Sequence, residues 1–79
     1  MLTSRFASFT TLTQAVLSGK TSPKRLAWFV VYGSGDFEKC NAMIGGLQLQ
    51  LGSSEKGLRL LDVQLEIHKM LEQPELVAQ

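Results

Sequence analysis

This 79-residue chain has one cysteine, one histidine, one tryptophan, two prolines and no strong excess of either charge. Each scarcity excludes something. Cys40 has no second cysteine with which to form a disulfide in the chain. It also stands far from His68, without the repeated ligand spacings of a zinc centre, so no metal is expected. Eight basic residues against seven acidic ones leave a net charge of +1. That balance gives no overall electrostatic footprint for nucleic acid and no pull toward an anionic membrane. The longest apolar run, Leu26 to Tyr32, is far short of the ~20 residues that cross a bilayer. The N-terminal stretch has one early Arg5 and no apolar segment followed by a cleavage site, so no secretory signal is expected. With a lone thiol, the expected setting is reducing and cytoplasmic. Gly33-Ser34-Gly35 is too short for a phosphate loop and no Lys-Ser/Thr follows it, so no cofactor is expected.

What the chain does have is helical punctuation. Leu2, Phe6, Phe9, Leu12, Val16 and Leu17 recur at three- and four-residue spacing, with Thr3 or Ser4 as N-cap and Gly19 as the stop. Thr21-Ser22-Pro23 is a strong start signal, a hydroxyl cap followed by proline at the first helical position. The segment 26–32 is apolar on every side, and its β-branched and aromatic content also allows a buried strand. Helix is preferred, because the chain offers no second strand and a lone one leaves backbone groups unpaired. Asp36 can cap a helix whose stripe is Phe37, Cys40, Ile44, Leu47 and Leu51, with Gly45 and Gly46 weakening it unless another helix approaches closely. Gly52 stops that helix, Ser53 or Ser54 caps the next, and Pro74 ends it, leaving a frayed tail. These signals predict one all-α domain over residues 1–79, with helices at 4–18, 23–32, 37–51 and 54–73 arranged as antiparallel hairpins.

The expected core is Phe6, Phe9, Leu12, Val16, Leu26, Trp28, Val30, Phe37, Ile44, Leu47, Leu51, Leu58, Leu61 and Leu65. At 100° per residue, the apolar side chains of the last helix cover roughly 240° of its circumference. Glu55, Arg59, Asp62, Glu66 and Lys69 fill the rest, where their i,i+3 and i,i+4 pairs mark a solvated stripe. A helix in so small a domain needs only one apolar face. Dividing this one gives an inner row of Leu58, Leu61 and Leu65 and an outer row of Leu60, Val63, Ile67, Met70 and Leu71. The outer row, joined by Trp28 and Tyr32, is the expected partner-binding surface. Chains this short bury only about 60% of their unfolded surface, so a protein partner or self-association is the expected stabiliser.

The run Gly35-Asp36-Phe37-Glu38-Lys39-Cys40, followed by Ile44 and Leu47, resembles the inter-helix turn of a tetratricopeptide repeat. The resemblance implies that 26–32 plays the first helix of a repeat and 37–51 the second, with the last helix a further first-type element. It implies an adaptor or chaperone holding a partner helix or peptide in a concave surface, similar to the small chaperones of secretion systems. Lys24, Trp28 and Gly52 depart from the family pattern. The alternative function is a small DNA-binding regulator of helix-turn-helix type using Lys20, Lys24 and Arg25. Arg25, however, stands where that motif buries an aliphatic residue. An enzyme is not expected. His68 has no accompanying nucleophile and orienting carboxylate, and Cys40 lies on a core stripe.

Overall fold

The computed structural model describes residues 2–72, with side chains from residue 6 onward. It consists of four helices: α1 (Leu2–Leu17), α2 (Pro23–Trp28), α3 (Phe37–Leu51) and α4 (Glu55–Glu72). α2 runs on without a break into a π-helical turn, Phe29–Gly33, so the segment 26–32 is helical and not a strand. The four expected segments match these elements to within a residue or two at each described boundary. Thr3 and Ser4 lie inside α1, which already begins at Leu2, and so do not cap it; the end at Gln73 and Pro74 and the frayed tail lie outside the described residues.

The boundaries follow from local chemistry. Ser22 caps α2 by accepting the Arg25 N–H at 3.3 Å, with Pro23 inside the first turn. The Asp36 carboxylate accepts the Lys39 N–H at 3.3 Å and so caps α3. Between these helices the buried Ser34 hydroxyl donates to the Val30 carbonyl at 2.8 Å and accepts the Asp36 N–H at 3.2 Å. That pair of bonds joins the end of the π turn to the start of α3. Ser54, and not Ser53, caps α4 by accepting the Gly57 N–H at 3.2 Å. α1 closes on a Schellman motif: Lys20 N–H donates to the Ala15 carbonyl, Gly19 N–H donates to the Val16 carbonyl, and Gly19 sits at φ +76°.

α4 lies against both α2 and α3 and also touches α1. The buried core draws on all four helices: Phe9 and Val16, then Leu26, Ala27 and Val30, then Cys40 and Ile44, and finally Leu60, Val63, Ile67 and Met70. Leu12, Phe37, Leu47 and Leu51 pack against it half-buried. Five residues expected in the core are instead exposed: Phe6, Trp28, Leu58, Leu61 and Leu65. The two faces of α4 are therefore exchanged relative to expectation. The row that stays apolar from Leu60 to the last turn, Leu60-Val63-Ile67-Met70, is the one that can fill a core spanning three neighbours. The row Leu58-Leu61-Leu65 turns polar at His68 and Glu72 and lies outward.

Gly57 marks the place where α4 meets the turn that follows α3. It is buried, and a Cβ there would collide with the Gly52 carbonyl oxygen, with the Gly52 and Leu51 carbonyl carbons at 2.9 and 3.0 Å. No such approach accounts for the glycines of α3. A Cβ at Gly45 would make only ordinary contact with Gln64, at 3.7 Å, and one at Gly46 would meet open space.

The charged stripe of α4 is on a flank of the helix, not opposite its core. The Arg59 guanidinium donates to the Leu17 carbonyl at the end of α1 and to the Glu55 carboxylate, both at 2.7 Å. It thus satisfies one of the last carbonyls of α1 and complements the negative end of that helix. Arg59→Ala is expected to lower stability by about 1–1.5 kcal/mol, the loss of a charge-assisted bond that is partly open to solvent. Urea unfolding followed by far-ultraviolet circular dichroism measures this, and Lys56→Ala on the exposed first turn of the same helix should change little.

Candidate functional site

The outward face of α4 carries Leu58, Leu61 and Leu65, which are 50%, 40% and 52% exposed. They sit at i, i+3 and i+7, so they form one continuous row along about two turns. Asp62 and Lys69 border the row, and Lys69 makes a loose contact of 3.8 Å with Glu66. Of the seven residues expected to bind a partner, Leu60, Val63, Ile67 and Met70 are core residues and cannot reach one in the folded chain. Leu71, Trp28 and Tyr32 are exposed. The helical period places Leu71 away from the leucine row, and Trp28 and Tyr32 are on α2 and its π extension. The expected surface is thus not a single patch.

Trp28 and Tyr32 pack on each other, with ring centroids 5.0 Å apart and planes tilted by 52°. They follow Lys24 and Arg25 on the exposed side of α2. Between this side and α1 runs an open groove of about 620 Å³. Leu12 and Phe29 form its apolar floor and Trp28 one wall, while Lys24, Arg25 and Thr21 form its rim. No acidic residue lines it. Among the described residues, neither Lys24 nor Arg25 takes part in an ion pair.

The sequence held two signals for these surfaces. One is the polar ending of the Leu58-Leu61-Leu65 row, which disfavours it as the core face. The other is charge order. Residues 1–35 contain Arg5, Lys20, Lys24 and Arg25 and no acidic residue, while all seven acidic residues follow from Asp36 onward. A net charge of +1 conceals that separation.

The chemically reactive side chains are dispersed. Cys40 is buried, and burial pushes its thiol above the ordinary value, with Asp36 adding to the rise; the Ser34 hydroxyl and Lys39 work the other way. A thiol held protonated is a poor nucleophile. His68 is exposed on α4. Among the described residues no group of three or more His, Cys, Asp or Glu is placed to hold a metal ion, and no helix is long and apolar enough to cross a membrane. Compared with protein-family models, curated proteins and solved structures, the chain matches none.

Proposed function

We propose that this protein is a non-enzymatic association module of adaptor or chaperone type, and that the outward row of α4 seats a helix of a partner protein. The observation that carries this is the double apolar character of α4: one row fills the core, and Leu58, Leu61 and Leu65 stay about half exposed. Leucines spaced in this way suit the helix-in-groove mode of recognition. Fully burying a leucine contributes ~1.5–3 kcal/mol, so covering three half-exposed ones adds about 3 kcal/mol. That is too little on its own to offset the entropy of association. The row is therefore the centre of an interface whose rim extends to Asp62, His68 and Lys69.

Two features support the repeat-like form of this function. Gly35, at φ +76°, and the capping Asp36 make the turn that the resemblance requires, and α4 lies against both α2 and α3. The dispersed His68 and the protonated Cys40 speak against catalysis. For DNA recognition, the exposed side of α2 beyond Lys24 and Arg25 carries Trp28 and Tyr32, where a helix reading a groove needs polar side chains.

The test is hydrodynamic. The wild-type chain is expected to sediment above its monomer mass of 8.7 kDa, alone or with a co-purifying protein. Leu61→Asp should return it to the monomer while the helical circular-dichroism signal is retained, because Leu61 is exposed and outside the core. A wild-type chain that sediments as a monomer with nothing bound overturns the proposal.

A further inference from the structure

The groove between α1 and α2 contains no residue of the leucine row of α4, although Ser22 and Lys24 on its rim also border a second, smaller cleft with Asp62, Leu65 and Glu66. We propose that it binds an acidic peptide segment, seating one apolar side chain of that segment over Leu12 and Phe29 while flanking carboxylates pair with Lys24 and Arg25. Three observations point to this occupant. The floor of Leu12 and Phe29 is apolar, and the open groove of about 620 Å³ has room for a large side chain. The rim carries two cations without ion-pair partners among the described residues, and no acidic side chain lines the groove. The basic first 35 residues supply both walls, whereas every acidic residue of the chain follows them. The attraction for an acidic segment is local to Lys24 and Arg25, because Asp62 and Glu66 of α4 border Lys24 on its other side.

The same groove suits a nucleic acid less well. Single strands are held by several cations along a backbone and by free aromatic faces on which bases stack. Here the rim has only two cations and the floor includes the aliphatic Leu12. The groove is also open along its length, which fits an extended or helical peptide better than an enclosed small ligand.

Trp28 is the only tryptophan and forms one wall, so its fluorescence reports on the groove directly. The probe is a short synthetic peptide of aspartate and glutamate around one central phenylalanine, titrated into the full chain. A saturable change in Trp28 emission that weakens with added salt is expected. Replacing the phenylalanine of the probe by alanine, or its acidic residues by lysine, should weaken binding at least about tenfold. The double variant Lys24→Glu/Arg25→Glu alters only exposed side chains, and the Ser22 cap uses the backbone N–H of Arg25, so the fold is retained. It should weaken the acidic probe by a similar factor and strengthen the lysine probe.

No saturable change with the acidic probe overturns the proposal, as does equal binding of the alanine version. Tighter binding of oligothymidylate than of the peptide would assign the groove to single-stranded nucleic acid instead. Leu61→Asp should leave peptide binding unchanged. Failure here is thereby distinguishable from failure of association through α4, and loss of the peptide in that variant would overturn the separation of the two surfaces.

Discussion

Gly57→Ala is expected to destabilise the protein by about 3 kcal/mol, at the upper end of the cost of overpacking. Intrinsic helix propensity points the other way, since alanine in a helix is favoured over glycine by about 1 kcal/mol. The sign of the measured change therefore decides between local and tertiary control. Gly57 is buried in the first turn of α4, and a Cβ there would collide with the carbonyl oxygen of Gly52. The obstacle is backbone and cannot rotate aside. Gly52 itself sits at φ +59°, a conformation that favours glycine, so the turn joining α3 to α4 has little freedom to relax. The start of α4 must lift, and the Ser54 cap on the Gly57 N–H goes with it. A domain of this size has only about 4–12 kcal/mol of stability in all. Gly46→Ala is the control: with open space around that position, it should gain about 0.5–1 kcal/mol. Urea midpoints of the two variants, compared at equal m-value, should lie on opposite sides of the wild type.

Leu60→Ala and Leu61→Ala should differ by several-fold in their effect although the residues are neighbours of identical type. Leu60 is completely buried among the core side chains, and truncating such a leucine removes its transfer energy and leaves a cavity, at about 3 kcal/mol. Leu61 is 40% exposed and faces away from that core, so its truncation should cost less than about 1 kcal/mol. In the isolated chain the two changes test which face of α4 is internal. In the presence of a partner the order should invert for binding: Leu61→Ala weakens association directly, while Leu60→Ala acts only through the stability of the folded state. Equal losses from both variants in the isolated chain would show that α4 buries a different face.

How far the sequence could be read differs between elements. The starts of α2 and α3 are determined by Ser22-Pro23 and Asp36, whose capping bonds span three residues and need nothing from the rest of the fold. The end of α1 is likewise local, a Gly19 turn closed by bonds to Ala15 and Val16. Membership in the core was legible for Phe9, Val16, Leu26, Val30 and Ile44, each of which lies in the middle of a single apolar stripe or, in α2, at its centre. It was not legible for Trp28, which is large and apolar but stands on the side of α2 that no neighbour covers. The role of Arg59 was hidden too. Its Glu55 partner is four residues away and visible as a helix pair, whereas the Leu17 carbonyl is reached only once α1 and α4 have docked.

The sequence by itself determined that the described residues form four helices, where α2 and α3 begin and α1 ends, and that the last helix has more apolar surface than one core needs. Caps, proline and glycine act over a few residues, so those features are encoded where they occur. Only the tertiary structure decided which row of α4 turned inward, that Gly57 is a point of close approach rather than a weak helix former, and that Lys24 and Arg25 border an apolar groove. Each of these depends on which surfaces meet. A helix apolar on two sides satisfies the hydrophobic effect equally well in either orientation until its neighbours are in place.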